Sequence, residues 1–159
     1  MQRVFIALCI LTFLNGCSSP RCRQWIFNDV ITSCPSHNSG RLLLQPNNDF
    51  SYLELEIVRS RSGVRMYLNI LLMEARPSEE NPQMTKVLIL LSDETLTVYA
   101  NIFKGGQRIL IPGEIADILI ENLLDSQCST IQLGARKIDI IPDQFQECYT
   151  KLLSIKMEE

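Results

Sequence analysis

The chain has 159 residues, a formal net charge of −3, one histidine and six cysteines. This length is enough for one domain with a substantial core and is short for two domains. The mildly acidic balance argues against nucleic acid as a partner and against electrostatic adhesion to anionic lipid.

The first seventeen residues are the most informative segment of the chain. Arg3 supplies a short positive region, and residues 4–14 form an uncharged apolar run. A run of this length is too short to span a bilayer and fits the apolar core of a signal peptide. The run ends in Leu14-Asn15-Gly16-Cys17, which resembles the lipobox of bacterial lipoproteins, with Leu at −3, Gly at −1 and Cys at +1.

The resemblance implies diacylglyceryl transfer to the Cys17 sulfur, cleavage after Gly16 and acylation of the new amino terminus, with palmitate as the expected fatty acid. Ser18, where some lipoproteins carry Asp, implies the outer membrane by the sorting rule of enteric-type bacteria, with the protein facing the periplasm. An ordinary cleaved signal peptide, an uncleaved anchor and a buried first helix are the alternatives.

The expected organisation has three parts. Residues 1–16 form the signal peptide, residues 17–21 a lipidated tether, and residues 22–159 a single globular domain. The tether extends to roughly 15 Å at most. We therefore expect the domain to lie against the membrane, with the lipid anchor and an envelope protein of unidentified kind as its partners.

Four cysteines follow the lipidation site. An even number in an oxidising compartment predicts two disulfides, for which three pairings are possible. Local closure favours pairing the first with the second and the third with the fourth, and free buried thiols are the alternative. No C-x-x-C pair occurs and the lone His37 lies outside any ligand spacing, so we expect neither a metal nor another cofactor. The four are Cys22, Cys34, Cys128 and Cys148.

Alternating apolar residues predict a sheet-rich first two thirds. Residues 24–31 and 41–45 are predicted strands around a polar loop, and two hairpins follow. The first turns at residues 60–63 and is predicted to pair Ile57 with Met66, Leu55 with Leu68 and Leu53 with Ile70. The second turns at residues 92–95 and is predicted to pair Leu91 with Leu96, Ile89 with Val98 and Val87 with Ala100.

The last third predicts two amphipathic helices. Pro112 and Pro142 each follow an apolar strand and suit the first turn of a helix, and a helical apolar pattern comes after each of them. Residues 130–133 form a predicted short strand between the two. The expected class is α+β, mainly an antiparallel sheet of two hairpins and further strands, with both helices on one side.

The candidate contact residues are basic. Lys104 and Arg108 flank a Gly-Gly turn that could present backbone N–H groups and two cations to an anion. Arg59, Arg61 and Arg65 cluster around the tip of the first hairpin, where they could contact a lipid headgroup or a protein. An ordinary solvated turn is the alternative in both places.

No catalytic constellation is visible in the sequence. His37 lies in a polar loop, and nucleophilic catalysis needs a base and an orienting group within hydrogen-bond reach. We therefore expect a non-enzymatic, lipid-anchored module that binds or scaffolds another envelope component near the membrane. The alternatives are an envelope enzyme acting on cell wall or lipid, and an inhibitor or surface-exposed virulence factor.

Overall fold

The computed structural model describes residues 25–44 and 52–157. The predicted signal peptide, Cys17, the tether and Cys22 lie outside these residues. Within the described part, nine strands form one antiparallel sheet in the order β1-β2-β3-β4-β7-β6-β5-β8-β9. The strands are β1 Trp25–Val30, β2 Ser39–Leu44, β3 Leu53–Ser60, β4 Gly63–Ile70, β5 Met84–Leu90, β6 Thr95–Ile102, β7 Arg108–Leu110, β8 Ser129–Leu133 and β9 Arg136–Ile140.

Two helices accompany the sheet. Helix α1 spans Gly113–Leu124 and begins directly after Pro112, and helix α2 spans Phe145–Leu153 and begins three residues after Pro142. A short 3₁₀ turn at Pro35–His37 connects β1 to β2. No helix in the described part of the chain is long and apolar enough to cross a membrane.

The predicted α+β class is wrong, because the fold is largely β. The helices lie in the predicted third of the chain, but they cover only 12 and 9 residues beside nine strands. The physical reason is that the sheet curls and buries its own inner face, so that it needs no full helical layer to cover it. Fully buried residues come from eight strands, including Leu42, Leu55, Leu68, Ile109, Ala100, Ile89, Ile131 and Ile140.

Helix α2 covers the place where the curled sheet comes together. Phe145 is fully buried, and its ring centroid lies 4.9 Å from that of Trp25 at the start of β1. The ring of Tyr149 stacks on that of Phe145, with the two centroids 5.3 Å apart. An aromatic cluster therefore seals the core beside the first strand.

The first hairpin has the predicted register, with Ile57 opposite Met66 and Leu55 opposite Leu68. The predicted register of the second hairpin is wrong by two residues, since Ile89 lies opposite Leu96 and Val87 opposite Val98. Leu91 belongs to the turn, where its N–H donates to the carbonyl oxygen of Glu94 at 2.9 Å. A shift by two residues keeps every side chain on its predicted face.

Candidate binding site

A cavity of about 510 Å³ opens at one end of the sheet. Three segments form its wall: residues 73–78, which follow β4, the first half of β5, and the turn between β8 and β9. Ile70, Leu88 and Leu133 contribute apolar surface to it. Its volume and its mainly apolar lining are typical of small-molecule sites.

Backbone hydrogen bonds fix the wall formed by residues 73–78. The Ala75 N–H donates to the carbonyl oxygen of Gly106 at 2.7 Å, and the Ser78 N–H donates to that of Met84 at 2.7 Å. The Thr85 hydroxyl donates to the carbonyl oxygen of Arg76 at 2.8 Å. The Ser78 hydroxyl donates to a backbone carbonyl oxygen as well, at 3.0 Å. The Ser78 and Thr85 hydroxyls therefore both bond to the backbone and stabilise the conformation of this loop.

An exposed apolar tripeptide follows β4, and its last residue, Met73, lines the cavity. Leu71, Leu72 and Met73 follow β4 and are 38%, 79% and 52% exposed. Three consecutive exposed apolar residues present a continuous apolar surface, which marks an interaction site more often than scattered exposed residues do.

The backbone around this tripeptide is strained. Leu72 has a φ of 72° and Tyr52 a φ of 50°, both in the left-handed region that costs a side-chain-bearing residue about 1–2 kcal/mol. The two residues are linked through Leu71, whose N–H donates to the carbonyl oxygen of Tyr52 at 2.8 Å. Strain of this kind concentrates at ligand-binding sites.

Arg136 is the most unusual polar group of the site. It begins β9 and lines the cavity, and its guanidinium carbon lies 5.2 Å from the ring centroid of Tyr52. One terminal nitrogen, Nη2, contacts the sulfur of Met73, which is a weak acceptor. The other, Nη1, is buried without a hydrogen-bond partner among the described residues. A buried donor without an acceptor costs about 1–3 kcal/mol, and residues 25–44 and 52–157 supply no acceptor for this nitrogen.

The remaining charges of the lining are mainly positive. Arg76 and Lys86 line the cavity with Arg136, and Glu74 is the opposing carboxylate among the described lining residues. No ion pair joins Glu74 to Arg136 within the described part of the chain. The site is thus an apolar cavity with a cationic rim.

The five predicted contact residues do not form one patch. Arg59 donates from Nη1 to the carbonyl oxygens of Leu152 at 3.2 Å and of Leu153, so it satisfies the C-terminal carbonyls of α2. Arg108 lies opposite Asn69 on β4, about 13 Å along the strand from Arg65. Arg61, Arg65 and Lys104 are exposed.

Arg108 takes part in a polar network on the outer face of the sheet. Its Nη2 lies 2.9 Å from an Oε2 of Glu56, and its guanidinium carbon lies 3.9 Å from the ring centroid of Tyr67. Glu56 is only 6% exposed and also accepts a 3.1 Å hydrogen bond from Asn69. This network stabilises the pairing of β3, β4 and β7.

The described cysteines are free thiols, exposed at Cys34 and Cys128 and buried at Cys148. The locally closed pair of Cys128 and Cys148 is therefore not formed in the structure, and any pair with Cys22 involves a residue outside the described part. Burial raises the pKa of the Cys148 thiol, and its sulfur lies 3.6 Å from the carbonyl oxygen of Trp25. The described residues hold no group of three or more potential metal ligands.

Sequence reasoning missed the cavity. Residues 75–85 look like an ordinary polar loop with two prolines, and Arg136 follows an ordinary glycine turn. One signal was available: the apolar residues after Ile70 run consecutively as Leu71-Leu72-Met73 and break the alternation of the strand.

Comparisons of the chain with protein-family models, with curated proteins and with solved structures found no significant match.

Proposed function

We propose that this protein is a lipid-anchored, non-catalytic binding module of the cell envelope, which holds an apolar ligand in the cavity near the membrane. The observation that carries the proposal is the cavity of about 510 Å³, whose mainly apolar wall includes Met73, the last residue of the exposed apolar tripeptide. Apolar cavities with a few placed polar groups are the usual form of small-molecule sites.

The position of the first strand supports a membrane-facing cavity. Trp25 lies opposite Leu44, and successive partners lead across the sheet to Leu68 on β4. Leu71 follows Leu68 by three residues, so it lies about 14 Å across the sheet and about 10 Å along it from Trp25. The start of the described chain and the exposed apolar tripeptide are therefore at the same end of the sheet.

The length of the preceding segment links this end to the proposed anchor. Cys17 precedes Trp25 by eight residues, which span at most about 29 Å. Two or more acyl chains on Cys17 would give stable attachment, which a single chain does not. In this proposal the protein is anchored in the outer membrane, faces the periplasm and turns its exposed apolar tripeptide towards the lipid.

The cavity wall favours binding over hydroxyl-based catalysis. The Ser78 and Thr85 hydroxyls are both hydrogen-bonded to backbone groups, and neither lies beside a histidine, since His37 is on the loop between β1 and β2. The proposed module therefore retains or transfers its ligand without changing it.

Ligand binding is tested with N-phenyl-1-naphthylamine, an uncharged apolar probe whose fluorescence rises in apolar surroundings. The protein is the mature chain from residue 17 with Cys17→Ser, so that it is recovered without detergent. Ala135→Trp places an indole in the cavity from an exposed position, and Ser92→Trp adds the same side chain to the turn after β5. We expect Ala135→Trp to weaken probe binding at least about tenfold and Ser92→Trp to leave it unchanged. Equal binding by both variants would place the apolar site elsewhere.

The anchor is tested by intact-mass and tandem mass spectrometry of the protein extracted from membranes. We expect an N-terminal peptide that begins at Cys17 and carries the mass of diacylglyceryl and one further acyl chain. Cys17→Ala should abolish acyl labelling and leave an unprocessed precursor. An unmodified N-terminal peptide would overturn the anchor.

A further inference from the structure

We infer that Arg136 binds the headgroup of an anionic amphiphile, a ligand with an alkyl chain and a terminal carboxylate or phosphate. The inference rests on the proposed function and names the class of its ligand. Its basis is that Arg136 lines one cavity together with apolar side chains and with an excess of positive over negative charge.

The contacts of Arg136 with the described residues include no carboxylate that would balance its charge. The ring of Tyr52 lies on one side of the guanidinium, and the Met73 sulfur contacts Nη2. Nη1 is buried and has no partner among the described residues. A guanidinium is planar, always charged and donates in pairs, which suits the oxygens of a carboxylate or phosphate better than a single hydroxyl.

The charges on the lining select the sign of the ligand. Arg76 and Lys86 add two further cations to Arg136, and Glu74 removes one unit of this charge. An anionic headgroup is attracted by this surplus, whereas a cationic headgroup is repelled and an uncharged one gains no attraction from it. The preference is for acidic ligands.

The apolar wall requires a chain on that headgroup. Ile70, Leu88 and Leu133 line the same cavity as Arg136, and free phosphate would leave this surface in contact with water. Each methylene buried contributes up to about fourfold in affinity, from the transfer free energy of a buried CH₂ group. We therefore expect affinity to rise with chain length over a series of alkyl carboxylates until the cavity is filled.

The test is displacement of N-phenyl-1-naphthylamine from the Cys17→Ser protein, below the micelle concentration of every competitor. The competitors are dodecanoate, dodecyl phosphate, dodecanol and inorganic phosphate. We expect one or both anionic amphiphiles to bind at least about tenfold more tightly than dodecanol, the minimum that a hydrogen bond to a charged group contributes. The tighter of the two identifies the headgroup, and inorganic phosphate should not displace the probe.

Arg136→Gln should reduce the affinity for the anionic amphiphile to that for dodecanol, so that the preference for the anion over the alcohol is lost. Arg65→Gln is the matched control, because Arg65 is an exposed arginine of β4 outside the cavity lining. The comparison of dodecanoate with dodecanol in the unaltered site needs no variant, so it stands even if Arg136→Gln does not fold.

The failures of the two proposals are distinguishable. Equal affinity for dodecanol and for both anions would overturn the headgroup inference and leave the apolar site in place. Displacement by inorganic phosphate as strong as that by dodecyl phosphate would also overturn it. If the probe itself does not bind, or binds equally to Ala135→Trp, the proposed function is wrong, and the headgroup inference that rests on it is wrong as well.

Discussion

The indole Nε1 of Trp25 donates a 3.0 Å hydrogen bond to the carbonyl oxygen of Ile141, although the two residues lie 116 positions apart in the chain. Trp25 begins the first strand, and Ile141 immediately follows the last one. The bond therefore connects the two edges of a nine-stranded sheet, and Phe145 packs against the same indole. It is the point at which the curled sheet closes.

Trp25→Phe should lower the free energy of unfolding by about 1 kcal/mol, because it removes this hydrogen bond and retains most of the aromatic packing. Trp25→Ala should cost about 3–5 kcal/mol, since it also leaves a cavity beside Phe145. Urea unfolding should be followed by circular dichroism and not by tryptophan fluorescence, because Trp25 is the only tryptophan of the chain and both variants lack it. An unchanged midpoint for both variants would show that closure at this point does not stabilise the fold.

Gly40→Ala should destabilise the protein by about 1–3 kcal/mol, in the range of overpacked cores. Gly40 lies on β2 beneath the C-terminal end of α2, and a Cβ atom there would collide with Ile155 and would come within 2.9 Å of a Leu152 methyl carbon. Gly113→Ala, at the start of α1, is the control, because its Cβ would meet open space. Thermal unfolding of the two variants gives the comparison, and equal melting temperatures would contradict the close contact.

Cys148 should be alkylated after Cys34 and Cys128 when the fully reduced protein is treated with iodoacetamide. The reason is that Cys148 is buried and burial raises its pKa, whereas the other two thiols are exposed. Peptide mass analysis at successive times measures the order, and in urea the difference should disappear. Modification of Cys148 at the same rate as Cys34 in the folded protein would contradict its burial.

The same group gives the stability a pH dependence with a defined sign. A folded pKa raised above the unfolded value of about 8.5 means that the unfolded thiol ionises first. The contribution of Cys148 to stability is therefore complete below this value and is lost as the pH rises through the folded pKa. The free energy of unfolding of Cys148→Ala should therefore fall less at alkaline pH than that of the unaltered protein. Urea midpoints at several pH values measure the difference.

Leu72→Asn should leave stability unchanged or raise it by about 0.5–1 kcal/mol, since Asn tolerates the left-handed region better than Leu does. The side chain of Leu72 is 79% exposed, so little packing is lost. Ile31→Asn is a control at a similarly exposed position, 62%, without a positive φ, and it should bring no gain. A clear loss of stability in Leu72→Asn, measured by thermal unfolding, would mean that Leu72 packs more tightly than its exposure indicates.

The hairpins show what apolar alternation predicts well and where it becomes ambiguous. In the first hairpin the alternation and the turn agree, and the pairing of Leu55 with Leu68 was predictable. In the second, Ile89 and Leu91 are both apolar, so registers that differ by two residues satisfy the pattern equally. The turn geometry at residues 91–94 decides between them, and the alternation carries no information about it.

The fold class and the cavity depend on contacts that no local pattern contains. Each helix has a clear local signal, which favoured α+β, but the curling of the sheet depends on Trp25 meeting Ile141. Arg136 and Met73 are likewise 63 positions apart and adjoin only after folding. The exposed apolar tripeptide was visible in the sequence, whereas its position beside a guanidinium was not.

The bond between Trp25 and Ile141 also has a consequence for the order of events during biosynthesis. Topologies dominated by such distant pairings fold slowly, in milliseconds to seconds. The ribosome synthesises Trp25 long before Ile141 and Phe145. The first strand therefore lacks its contacts with these residues until nearly the whole chain has been made. In the lipoprotein proposed above, the amino-terminal end would reach the lipid-modifying enzymes while this strand is still uncovered. A chaperone that shields Trp25 during that interval would protect the protein from aggregation.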